Sequence, residues 1–102
     1  MLMLKVCKML MVSILIIPAA VMAKDIDQDE AKALRQQGKI LPLEQILQAA
    51  QGQHPGRVIQ VELEKQRGRY VYEVEIADSN GQVWEMKIDA SDASLLSQEL
   101  ED

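Results

Sequence analysis

Hydrophobic and polar positions change their period along this chain, and each change predicts an element. Met9 to Ile17 is an apolar run broken only by Ser13, preceded by Lys5 and Lys8 and ended by Pro18. Lys24 to Gly38 is polar and charged, with a thin apolar stripe of Ala31, Ala33 and Leu34. That stripe predicts a short helix over Gln28–Gln37, capped by Asp25 or Asp27 and stopped by Gly38. Ile40-Leu41-Pro42 is a connector. Leu43, Ile46, Leu47 and Ala50 then recur at helical spacing on one face. Pro42 suits the first helical position of this second helix, and Gly52 its C-terminal stop. Pro55 disfavours helix at His54, so Gln53-His54-Pro55-Gly56 is read as a turn.

Beyond Gly56 the period becomes two. Ile59, Val61 and Leu63 alternate with Gln60, Glu62 and Glu64, which predicts a strand from Arg57 to Lys65. Gln66-Arg67-Gly68 makes a hairpin into a second strand, Arg69 to Ala77, with Tyr70, Tyr72, Val74 and Ile76 on one face and Glu73 and Glu75 on the other. Asn80-Gly81 tolerates positive φ and makes a second hairpin. The third strand, Gln82 to Asp89, puts Trp84, Met86 and Ile88 on one face. After Asp89, the spacing of Leu95, Leu96 and Leu100 suggests a short helix or a docking tail.

These pieces assemble as an α+β fold. Short N-terminal helices pack on a three-stranded antiparallel β-meander in a two-layer sandwich. Ile59, Val61, Leu63, Tyr70, Tyr72, Val74, Ile76, Trp84, Met86 and Ile88 form the covered face. Glu62, Glu64, Glu73, Glu75, Glu85 and Lys87 form the wet one. The second strand is central, and the first and third are candidate edges.

The first 23 residues stand apart from this fold. A basic start, a short apolar run and the small residues Ala19-Ala20-Val21-Met22-Ala23 read as a secretory signal peptide cut between Ala23 and Lys24. The alternative, a permanent membrane anchor, needs roughly 20 apolar residues, more than the run provides. Cleavage removes Cys7, Lys5 and Lys8. The remainder, free of cysteine, holds 9 basic and 16 acidic residues, a net charge of −7. A short leader and a disulfide-free product favour a bacterial periplasm, with no stable membrane anchor after cleavage. An acidic surface argues against nucleic acid and anionic membrane as partners and leaves basic proteins, peptides or cations.

The ordered set L43-E-Q-I-L-Q-A-A, H54-P-G, V58-I-Q-V-E-L-E, Y70-V-Y-E-V-E-I and N80-G-Q-V-W-E-M-K-I-D-A resembles a PepSY domain. The resemblance covers about Gly38 to Leu96. It divides the chain into a signal peptide (1–23), a polar helical segment (24–38) and a PepSY-like domain (39–102). The family commonly follows its closing Asp-Ala with a Thr-Gly turn, whereas this chain reads D89-A-S-D-A-S, without glycine. The resemblance implies a domain that binds or inhibits peptidases, or modulates envelope partners, without enzyme activity of its own.

The residues themselves hold no catalytic constellation. His54 is the single histidine, too few for an imidazole-built metal site, and reads as a connector residue. No serine has a G-x-S-x-G setting, and no thiol survives cleavage, so nucleophilic catalysis has no support. Asp78-Ser79-Asn80-Gly81 lacks the spacing of a calcium loop and is a hairpin turn. No cofactor is implied. The expected function is a non-enzymatic periplasmic interaction module for a protein or peptide partner of the envelope, a peptidase or a sensor. Its expected contact is the third strand as an edge, through Val83, Glu85 and Lys87. The acidic face of Glu62, Glu64, Glu73 and Glu75 supports an alternative, a cation-binding or buffering protein.

Overall fold

The computed structural model describes residues 23–101. The signal-peptide reading of residues 1–23 lies, apart from Ala23, outside the described residues. Among them no helix is long and apolar enough to cross a membrane.

The chain forms α+β architecture in the order β1 (Lys24–Asp25), α1 (Gln28–Gln36), α2 (Leu43–Gln53), β2 (Arg57–Gln66), β3 (Arg69–Ala77), β4 (Val83–Asp89) and β5 (Leu95–Glu101). The strands make one antiparallel sheet in sequence order, β1 to β5. The three central strands are the predicted ones, and β3 is the middle strand, as expected. Two more flank them. Lys24 and Asp25 pair with Lys65 and Glu64, a strand too short to leave a periodic signature. The tail is a strand, not a helix, and it pairs along β4 from Val83↔Glu101 to Ile88↔Leu95.

Local chemistry accounts for the ends of α1. The Asp27 carboxylate accepts the Glu30 N–H at 2.8 Å, which satisfies one of the donors left free in a first turn. At the other end Gly38 takes φ +73°, and the Lys39 N–H donates to the Leu34 carbonyl at 2.9 Å. Ala31 and Leu34 are the buried stripe of this helix. In α2 Pro42 is the N-cap, one position earlier than expected, and the helix runs through Gly52 to Gln53 with His54 as its C-cap. The stop is thus His54 and the Pro55 that follows it, with Gly52 tolerated inside. Ile46 and Ala50 are fully buried against the sheet.

The core lies between the helices and one sheet face. Val74, Ile76, Met86 and Ile88 are at most 1 % exposed there, with Tyr72 and Leu63 beside them. Two expected core positions differ. A bulge in β2 between Val58 and Gln60 sets Val58 opposite Ile76 and turns Ile59 out to 44 % exposure. An extra residue in one strand shifts the alternation on one side of it. Trp84 is half-buried and has polar partners, described below.

The glycine-free turn after β4 is held by its own side chains. Ala93 takes φ +66°, the role a glycine would fill. The Asp89 carboxylate accepts the Ser91 N–H and hydroxyl, and the Ala93 N–H donates to the Asp89 carbonyl at 2.8 Å. That turn reverses the chain and delivers β5 to the side of β4.

Candidate functional site: an acidic sheet face and its open edge

The helices cover one face of the sheet, and the other carries the carboxylates. Register places them in rows. Gln60, Glu75, Glu85 and Glu99 are successive neighbours across β2 to β5. Glu62, Glu73, Lys87 and Ser97 form the adjacent row. Carboxylate oxygens of Glu73, Glu75 and Glu85 lie within 4.8 Å of one another, and those of Asp25, Glu62 and Glu64 form a second such group. Glu62, Glu73, Glu75 and Glu85 therefore form a contiguous acidic surface, extended by Glu99 and Glu101, whereas Glu64, expected on the wet face, is buried at 7 % exposure beside Asp25 and opposite Val71.

Few cations offset it. Among the described residues the one ion pair is Arg69 Nε–Asp89 Oδ2 at 3.6 Å, away from these rows. Glu62 and Glu64 accept side-chain amide bonds from Gln60 and Gln66, at 2.7 and 2.9 Å. Crowding shifts the titration of the central residues. Burial pushes the Glu73 carboxyl up from 4.5 to about 7, with Glu85, Glu64 and Glu62 adding to the shift and Lys87 opposing it. Desolvation, then Glu101, Glu85 and Glu62, moves Glu75 upward as well. Like charges directly opposite on neighbouring strands work against pairing.

Val83, Glu85 and Lys87 do not form an edge. β4 is hydrogen-bonded on both sides, to β3 and to β5, so its backbone is already spent on the ladder. The outermost strand on that side is β5, which no other described strand flanks. Its residues are mostly exposed, including Leu96 at 40 % and Leu100 at 44 %. On the opposite side β1 covers only Glu64 and Lys65 of β2, with the Ile26 N–H reaching the Leu63 carbonyl at 2.9 Å. The first strand, the other expected edge, is thus covered at one end.

A polar cluster supports the junction of α2 with β4 and β5. The His54 ring stacks on the Trp84 indole, with centroids 4.0 Å apart and 11° between planes. His54 Nε2 lies 2.6 Å from Gln98 Oε1. The indole N–H donates to Asp78 Oδ2 at 3.1 Å, and Asp78 Oδ1 accepts the Asn80 and Gln82 N–H groups. Desolvation works to raise the Asp78 carboxyl, but the bonds from Gln82, Trp84 and Asn80 and the proximity of His54 outweigh it, and the net shift is downward. His54 is therefore more than a connector: it ties the end of α2 to the last strand. The positive-φ residue of the Asp78 hairpin is Gly81 alone, at +80°.

A groove of about 490 Å³ opens between α1 and the β2 side of the sheet, with Ile26, Ala31, Leu43 and Val61 as apolar lining and Asp25, Glu62 and Arg35 among its polar residues. Arg35 donates to the Tyr72 hydroxyl there at 3.2 Å. Nucleophile, base and oxyanion donors are not brought together in it.

The sequence pointed to Glu62, Glu64, Glu73, Glu75 and Glu85, placed Leu96 and Leu100 in a helix or docking tail instead of a strand, and left Glu99 and Glu101 unremarked. Glu99-Leu100-Glu101 does alternate. Leu95 and Leu96 obscure it, because the register of β5 shifts between Lys87 and Ile88 and leaves Leu96 without a partner across the ladder.

No curated protein and no solved structure matches the chain. A family model does match, the peptidase propeptide and YPEB domain, over residues 40–99. That span takes in α2, β2 to β4, β5 as far as Glu99, and the row of carboxylates from Glu75 to Glu99. Domains of this kind are generally non-catalytic, act as protein-interaction or peptidase-related modules, and are typically extracellular or periplasmic. With more than half of its length inside that match, the chain belongs to the PepSY family.

Proposed function

We propose that this protein is a non-enzymatic periplasmic module that binds an envelope partner, a peptidase or a sensor, and modulates it. The contact is strand addition, in which an extended segment of the partner pairs with the outer side of β5. One observation carries this reading: among the described residues β5 is the terminal strand of the sheet, exposed from Leu96 to Glu101 and bearing two exposed leucines. Unpaired strand edges are templates for another chain, and main-chain hydrogen bonds supply the affinity. Membership in a family of peptidase propeptides supports a partner of that class.

Site-directed photo-crosslinking in envelope extract tests the reading. A crosslinker at Ser97 or Glu99 is expected to trap one defined protein, and a crosslinker at Lys32 or Gln48, exposed on the helices, is not. Trapping from the helices alone, or from no position, contradicts strand addition at β5.

A second reading, cation binding or buffering, has one observation in its favour, the two groups of three carboxylates with oxygens within 4.8 Å. Calorimetric titration with calcium, zinc and copper decides it: micromolar binding supports a cation protein, and no heat dismisses it.

A further inference from the structure

Two rows of side chains run across the sheet and stop unfinished at β5. On the wet face the row Glu75–Glu85–Glu99 ends at the open edge, with Glu101 beside it. On the helix face the row Ile76–Trp84–Leu100 ends at the same edge, where Leu100 is 44 % exposed. Successive residues of a strand point to opposite faces. Glu99, Leu100 and Glu101 therefore offer acid, apolar and acid to whatever pairs with them.

We propose that β5 receives a partner segment that reads basic–apolar–basic, with its two cationic side chains opposite Glu99 and Glu101 and its apolar one opposite Leu100. This rests on the strand-addition reading above and names the chemistry of the partner. Residues directly opposite on paired strands have Cβ atoms about 4.5–5.5 Å apart, close enough for each cation to meet its carboxylate. The added charges also extend a row that lacks cations: Glu75 and Glu85 face one another with no ion pair among the described residues, and burial first, then the charges of Glu101 and Glu85, moves the Glu75 carboxyl upward. The apolar residue continues the Trp84–Leu100 row and covers the exposed leucine. Pairing with the β5 of a second copy does not satisfy the edge, because β5 contains no lysine or arginine and brings only further acid.

The test uses the purified, isotope-labelled protein and synthetic peptides of Thr residues flanking a central Lys-Val-Lys. Companion peptides carry Glu-Val-Glu, or Lys-Val-Lys with the backbone N-methylated at alternate residues in either phase. Lys-Val-Lys is expected to shift amide resonances within Leu95–Glu101, and to bind about tenfold more tightly than Glu-Val-Glu. Adding salt, or replacing both Glu99→Gln and Glu101→Gln, should remove the preference. One of the two N-methyl phases should lose binding. Equal binding of the basic and acidic peptides, shifts confined to other elements, or no shift at all overturns the proposal. If charge has no effect but one N-methyl phase still blocks binding, strand addition stands and only the partner's chemistry falls. If both N-methyl phases bind like the parent, strand addition itself falls.

Discussion

Glu73 shows at the scale of one residue how the acidic face costs stability. It faces Glu62 across one ladder and Lys87 across the other, yet its pKa is raised to about 7, mainly by burial and then by Glu85 and Glu64. A carboxyl with a raised folded pKa holds its proton more tightly folded than unfolded. Its contribution to stability is therefore present at low pH and lost as pH climbs from about 4.5 through 7. Glu75 shifts in the same direction. Asp78 and Asp92 shift downward, Asp92 through its bonds from Ser94, so their contributions are lost only below the ordinary Asp range, outside that window. Glu73→Gln is expected to raise the melting temperature by about 2–6 °C at pH 8 and leave it unchanged near pH 5. Thermal unfolding followed by circular dichroism at both values checks this. An equal shift at both would show that charge crowding is not the cause.

Between residue and molecule, the turn from β4 to β5 decides whether the sheet has its last strand. Ala93 occupies the left-handed region at φ +66°, a conformation that costs a side-chain-bearing residue about 1–2 kcal/mol. Ala93→Gly should relieve that strain against a smaller loss of about 0.4–1 kcal/mol from unfolded-chain entropy. The expected net gain is about 0.5–1 kcal/mol, read as a higher urea midpoint with unchanged slope. This turn also explains what was legible in the sequence. Strands β2 to β4 declared themselves through strict alternation and glycine-marked hairpins. The tail did not, because an alanine does the turn's work and the unpaired Leu96 breaks the period of two. Residues 24–25 could not, since two residues carry no period. The acidic rows Glu62–Glu73 and Glu75–Glu85 were therefore readable as soon as the strands were. The sheet edge was misplaced by one strand, from β4 to β5 among the described residues, because an edge is defined by what fails to pair with it.

At the scale of the molecule, one sheet separates two kinds of work. The helices close the core on one face, through Ile46, Ala50, Ala31 and Leu34. On the proposed reading the other face and the β5 edge receive a partner, and residues 24–102 carry a net charge of −7. In that proposal, charge of this sign would draw basic partners toward the sheet at low salt, and the open backbone would fix their register. The central claim is that the partner's backbone joins the sheet at β5. Hydrogen exchange of the complex with the crosslinked partner tests it most directly. The account predicts slowed exchange at alternate amides within Leu95–Glu101, those directed away from β4, and little change in α1 and α2. Unchanged exchange in β5, with protection confined to the helices, would contradict it.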